Sequence, residues 1–315
     1  MQPSHPTKSR VSILAVVVLY ECAPSESRSL CALIAILRAN SELSRHFSLI
    51  IYDNSPLEQR LDLDANFKIQ YQHDPRNAGL ATAYNFAIGQ AETENHDWLL
   101  LLDQDTLVTR EFLDELIACA EQLRPEDNVA SIVPKLIVDG RICSPAPHFL
   151  DQVRHQFERP GDAIGREISG IQAGRPSAYN SGSALRVSAL RAVGGFPEEY
   201  WLDYLDHAVF HSLAAHGYRM FVLSSELQHD SSQRTIQSVP PWRQRNLLYS
   251  QIRFIRQTGN WIDRLFFRVW LLRNSRILWI DYPDRNLWKE TAWQALLLDG
   301  RADKQSSRKA RTERS

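Results

Sequence analysis

Trp98-Leu99-Leu100-Leu101-Leu102-Asp103-Gln104-Asp105 is an apolar run that stops abruptly on two carboxylates. A run apolar at every position reads as a strand buried on both faces, the habit of a central strand in a parallel sheet. Toward the N-terminus, Val11 to Tyr20 repeats the pattern, with Lys8 and Arg10 ahead of it and β-branched Val16-Val17-Val18 inside it. A signal peptide would place a small-residue cleavage signal after such a run. Tyr20-Glu21 stands there instead, so the run reads as a buried first strand. Ser29 to Ala39 has helical spacing at Leu30, Leu33, Ile34 and Leu37. Phe47 to Tyr52 is a second strand that stops at the turn Asp53-Asn54-Ser55-Pro56, and Phe67 to Tyr71 is a third. Asn77-Ala78-Gly79 opens a helix with small residues Ala81, Ala83 and Ala87, and Arg110 to Leu123 is again helical. Strands alternating with helices predict an α/β fold with a mostly parallel central sheet. Polar residues gather where its strands end, the edge at which open α/β sheets bind ligands.

Past residue 125 the pattern loosens. Ile132 and Leu136-Ile137-Val138 suggest strands between Gly140, Pro145, Pro147, Pro160 and Pro176. Asn180-Ser181-Gly182 precedes a helix ending at Gly194-Gly195-Phe196. Asp203 and Asp206 precede another, ending at Gly217, and Met220 to Leu223 is a short strand before His229. From Trp242 the composition turns rich in Trp and Arg over helical segments 242–257, 260–280 and 286–299. The expected division is a disordered N-terminus (1–10), an α/β domain (11–240), a C-terminal helical region (241–300) and a disordered polar tail (301–315).

The 315 residues are 43% hydrophobic and 23% charged, with a formal net charge of −1, a balance for a globular core and not for a nucleic-acid partner. Cys22, Cys31, Cys119 and Cys143 show no C-x-x-C spacing and no His at finger spacing. They read as thiols of a reducing compartment rather than zinc ligands. No run reaches the ~18–20 apolar residues of a membrane span. The expected location is the cytoplasm.

Asp103-Gln104-Asp105 carries the strongest chemistry. Two carboxylates one residue apart, where a buried strand turns, can face one point. Oxygen ligands suit Mg²⁺ or Mn²⁺, which complete their shells with substrate phosphates. The competing reading is a solvated pair ahead of the helix near Thr109. Asp53-Asn54 could meet a nucleobase or ribose, or form a plain Asx turn. Asn77 and Gly79, with Asn85 further along, could admit a ligand to a helix start, or simply begin that helix. Asp203 and Asp206 could take a proton from an incoming hydroxyl, or serve the helix dipole. His229 could be a metal or phosphate ligand, or structural.

Taken in order, Tyr20, Asp53-Asn54-Ser55, Asn77-x-Gly79 with Asn85, Asp103-Gln104-Asp105, Asn180-Ser181-Gly182, Gly194-Gly195-Phe196, the acidic segment Asp203 to Asp206 and Gly217-Tyr218 resemble family 2 of the inverting glycosyltransferases, over residues 11 to 250. The resemblance implies the GT-A fold and one in-line displacement from a nucleotide-diphosphate sugar, dTDP- or UDP-linked, to a saccharide or lipid-linked saccharide. The D-Q-D form, with Arg245-Asn246 and Tyr249, looks like the rhamnosyltransferase branch, which uses dTDP-L-rhamnose for bacterial surface polysaccharides. It implies nucleobase contact at Asp53 and ribose or sugar contact at Asp103. Asp105 would be the main metal ligand, aided by His229, and Asp206 the base, with Asp203 second. Tyr20, Asn54, Asn77, Gly79, Asn85, Gln104 and Arg245 would complete the donor site. Two positions depart from the family: Glu21 replaces Asn, and His207-Ala208-Val209-Phe210-His211-Ser212 replaces the usual continuation of the acidic segment.

Two other readings compete. One is a nucleotide-sugar-binding protein of this fold without turnover. The other is a D-x-D phosphatase, which needs Thr or Val where Leu107 stands. The Trp/Arg helices either pack on the core or a second subunit, giving a homo-oligomer, or contact the cytoplasmic face of an inner membrane peripherally.

Overall fold

A computed structural model describes residues 10–60, 66–154, 165–229, 237, 239–284 and 286–298. The expected disordered ends, 1–10 and 301–315, lie outside the described residues apart from Arg10. Through the first half, β1 (Ile13–Leu19), α1 (Arg28–Ala39), the one-turn α2 (Ser41–Ser44), β2 (Phe47–Asp53), β3 (Ile69–His73), α3 (Leu80–Thr93), β4 (Trp98–Asp103) and α4 (Arg110–Gln122) alternate as the apolar runs predict. Then follow β5 (Val129–Val138), β6 (Arg141–Ser144), α5 (Phe149–Arg154), β7 (Gly170–Ile171), β8 (Ala184–Arg186), α6 (Val187–Ala192), α7 (Leu205–Ala215) and β9 (Arg219–Gln228). The chain continues with α8 (Pro241–Thr258), α9 (Trp261–Asp281) and α10 (Leu287–Leu297).

One sheet runs in the order β3-β2-β1-β4-β8-β5-β9-β7, with β6 paired to β5. The block β3-β2-β1-β4 is parallel, as is the pair β5-β9, whereas β8 lies antiparallel between β4 and β5. β1 and β4 are central, so both their faces are covered and their sequences show no alternation. Ile13, Ala15, Val17 and Leu19 face α1 and α4, while Leu14, Val16 and Val18 face α3 and the helices beyond it. The register places Val18 opposite Asp103 and Leu19 opposite Asp53. β1, β2 and β4 therefore end level, and both aspartates emerge at one edge.

The C-terminal helices share this core. Phe254, Ile255, Phe267 and Leu271 are fully buried and join the cluster beneath α3 and α7. Arg154 on α5 also grips the buried Asp263 of α9 at 2.5 Å. Trp270 stacks on Phe267 with ring centroids 5.3 Å apart. In contrast, Trp261, Trp279 and Trp293 are 74%, 54% and 59% exposed, so core packing accounts for only part of this tryptophan-rich region.

Asn85, expected in the donor site, holds α3 to the loop after α6. Its Nδ2 donates to the Phe196 carbonyl and its Oδ1 accepts from the Phe196 N–H, each at 2.8 Å. Replacing it strips two backbone groups of their partners beside the fully buried Phe196 ring. Asn85→Ala should lower stability by about 2 kcal/mol, read from the urea midpoint. An unchanged midpoint would assign that latch no weight.

Candidate functional site

The site is built on the turn that ends β4. The Ser29 hydroxyl, fully buried on α1, shares its one proton between the carbonyls of Asp103 and Thr106 (2.7 Å for the latter) and accepts from the Thr106 N–H at 3.1 Å. Ser27 caps α1 and donates to the Gln104 carbonyl at 3.0 Å. From the other side, Ser181 Oγ accepts from the Asp103 N–H at 3.1 Å and meets Thr106 Oγ1 at 2.6 Å. Thr106 pairs with His229 in an isolated antiparallel bridge, and its hydroxyl lies 2.8 Å from His229 Nδ1. Backbone groups of a tight buried turn need partners. Here they come from residues far apart in sequence, and none of Ser27, Ser29, Ser181 and Thr106 was singled out by the sequence reading for this task.

The clamp brings Asp103, Asp105 and His229 together, with one ligand atom of each within 4.8 Å of the others. His229 Nδ1 is 3.5 Å from Asp105 Oδ1. The donor set, two carboxylates and an imidazole, is one that divalent cations take. Asp206, in the first turn of α7, lies near enough for its charge to act on Asp103. Burial, then the charges of Asp105 and Asp206, push the Asp103 carboxyl up to about 7, and the Tyr84 hydroxyl and the Arg243 charge temper that rise. The fully buried Tyr84 phenol is driven upward by burial and then by the charges of Asp103 and Asp206. Three carboxylates and a phenol thus converge at the end of β4.

Asp203 and Asp206 differ in their contacts. Asp203 accepts from Asn246 Nδ2 at 2.7 Å and lies 3.7 Å from Arg243 Nε, both on α8. Asp206 is bonded to the backbone N–H of His207 at 2.8 Å. Trp201 ties this acidic segment to the start of α3: its Nε1–H donates to the Asn77 carbonyl at 2.9 Å, and its carbonyl accepts from Leu80 N–H at 3.0 Å. Gly79, at φ +102°, leaves the room that Trp201 occupies, since a Cβ would stand 2.5 Å from the indole and from the Trp201 carbonyl. The close approach allowed by Gly79 is therefore made by Trp201.

The remaining expected residues divide. Asp53 is fully buried: one oxygen accepts from Ser55 N–H in an Asx turn at 2.9 Å, and the other from the Tyr71 hydroxyl at 2.6 Å. Among the described residues, the side-chain oxygens of buried Asn54 and Asn180 have no hydrogen-bond partner. Gln104 accepts from the Tyr20 N–H at 2.9 Å, which fixes the end of β1 to the turn. Arg245 is not brought to this point. Its guanidinium is held by Asp284 at 2.7 Å and Glu290 at 3.0 Å, and Tyr249 also donates to Glu290 at 2.5 Å. Arg243, two residues earlier, does reach the acidic group.

The sequence pattern of Glycosyl transferase family 2 matches residues 17–182. No curated protein matches the chain. Among solved structures, GalNAc-T7 with UDP, GalNAc and Mn²⁺ superposes with a TM-score of 0.58 at 12% identity, over 92% of this chain and 56% of that one. S. aureus TarS 1–349 in complex with UDP-GlcNAc gives a TM-score of 0.54 at 14% identity, over 91% of this chain and 81% of that one. At these identities the likeness concerns the fold, which is GT-A.

The Asp103 carboxyl keeps its proton up to about pH 7 in the folded chain but releases it near its ordinary 3.8 when unfolded. Between those values the folded state binds the extra proton, so metal-free stability falls as pH rises through the window. Asp103→Asn should therefore melt a few degrees above wild type at pH 8 in chelator, with the gap closing as pH falls toward 4. Equal melting at pH 8 would show that Asp103 ionises there without penalty.

Proposed function

This chain belongs to glycosyl transferase family 2, and on that premise we propose that it moves a sugar from a nucleoside-diphosphate sugar to an acceptor hydroxyl with inversion at the anomeric carbon. The observation that carries this reading is the convergence of Asp103, Asp105 and His229, with a third carboxylate, Asp206, near enough for its charge to act on Asp103 and Tyr84.

Asp206 takes the proton of the acceptor hydroxyl as that oxygen bonds to the anomeric carbon and the bond from that carbon to the diphosphate breaks. Asp203 is a positioning residue, since Asn246 and Arg243 hold it. Asp105, Asp103 and His229 would hold a divalent cation, which when bound neutralises charge on the departing diphosphate. An imidazole beside two carboxylates suits Mn²⁺ better than Mg²⁺, which prefers an all-oxygen shell. Arg243 stands where it can face the same leaving group. The unfilled oxygens of Asn54 and Asn180 offer acceptors to the nucleoside and sugar.

For the donor, dTDP-L-rhamnose and UDP-sugars are the two classes to compare. The residues behind the rhamnose reading, Gln104, Arg245 and Tyr249, make internal contacts. The acceptor is a saccharide or a lipid-linked saccharide.

Calorimetric titration with UDP and dTDP, with and without Mn²⁺, tests the site. Binding should need the metal, and Asp105→Asn should abolish the metal-dependent part. Asp206→Asn should bind donor as wild type does while losing about a thousandfold in turnover, measured as nucleoside diphosphate released from the preferred nucleotide sugar. Metal-independent binding of both nucleotides would remove Asp105 from its role. Undiminished turnover in Asp206→Asn would remove Asp206 from its role.

A further inference from the structure

α9 spans 21 residues, roughly 30 Å. Phe267, Leu271 and Leu278 turn one face into the protein. The opposite face carries Trp261, Leu265, Val269, Leu272 and Ile280, all exposed. At 100° per residue these positions fall within roughly 100° of arc, so they share one face of the helix, with Arg276 inside the same arc near its C-terminal end. Trp279 stands at its C-terminal end, 54% exposed, and α10 adds Trp293 and Leu296 at 59% and 69%. An exposed apolar surface of this extent marks a contact.

Charge chooses among occupants. Arg273 and Arg276 on α9 and Lys289 on α10 are exposed along this surface. Of the acids on the two helices, Asp263 is buried against Arg154 and Glu290 is held by Arg245. Asp281 ends α9. The surface is therefore apolar with a basic fringe, on a chain whose net charge is only −1. A second copy bringing the same face would set Arg against Arg. An anionic lipid surface complements both features, with Trp at the headgroup level and Arg extending toward phosphate. Among the described residues no helix is long and apolar enough to cross a membrane, which fits a helix lying on the surface.

The same face is linked to the acidic segment through packed helices. Trp279 meets Trp288 with ring centroids 6.4 Å apart, α10 is joined through Glu290 to Arg245 of α8, and the next residue, Asn246, holds Asp203. We propose that the exposed face of α9 and α10 docks the protein on an anionic lipid surface, with α10 and α8 linking that face to the acidic segment.

The test is flotation of the full chain with phosphatidylcholine vesicles, with and without phosphatidylglycerol, alongside light scattering for mass. Wild type should bind the anionic vesicles about tenfold or more above the neutral ones and lose that preference at high salt. Leu272→Glu with Ile280→Glu, both at exposed positions, should abolish binding while leaving the melting temperature unchanged. No binding by wild type, equal binding to neutral vesicles, or retained binding by the double variant each overturns the proposal. So does a dimer that the double variant dissolves, because a second copy would then be the occupant. No donor or turnover enters the measurement, so its failure leaves the transferase reading standing.

Discussion

The Ser29 hydroxyl, with Ser181 opposite it, holds the turn on which everything else in the site depends. β4 leaves the sheet between β1 and β8, and the two half-buried carboxylates it delivers repel each other. A turn left to itself would unwind toward water. Ser29 instead engages Asp103 and Thr106 from α1, while Ser181 and His229 engage the same turn from the opposite side. Three distant parts of the chain thus close on four residues, and the pairing of Thr106 with His229 brings the imidazole to the carboxylates as a by-product of backbone geometry.

That construction concentrates negative charge in a poorly hydrated place. Asp103 responds by holding its proton to about 7, chiefly through burial. Nearby, Arg243 and His229 supply positive or potentially positive character. A cluster so arranged favours a ligand that brings its own cation, and the metal-diphosphate pair of a nucleotide sugar has that property. The same crowding separates the two acids of the following segment. Asp203 is neutralised by partners on α8, whereas Asp206 is bonded only to the backbone of its own helix start among the contacts seen here.

The C-terminal helices are part of this machinery rather than an appendage. α8 carries Arg243 and Asn246 to Asp203, and it carries Arg245 and Tyr249 to α10. Arg243 and Arg245 are two residues apart, so roughly 200° of helix separates their directions. One faces the carboxylates and the other braces the helices. Which face turns inward depends on how Phe254 and Ile255 seat in the core, a matter of packing that spacing alone leaves open.

The alternating pattern, the buried strands and the meeting of Asp53 with Asp103 at one sheet edge were legible in the sequence. Consecutive apolar residues have few stable alternatives to a doubly covered strand, and polar residues at strand ends have few places to go. The Asp103-Gln104-Asp105 turn followed for the same reason, whereas the acidic segment was marked by its place ahead of a helix and by the family resemblance. Other features were not legible. That Asn85 holds Phe196 and Gly79 admits Trp201 had no signal in the spacing. Ser29, Ser181 and Arg243 gave no local signal, because a serine hydroxyl or an arginine acquires its task only from partners brought near by folding. Local chemistry and periodicity determined which residues could form a site; the long-range packing of α1, α8 and the Ser181 loop decided which of them do, since hydrogen bonds and ion pairs act over a few ångströms and chain spacing does not measure that distance.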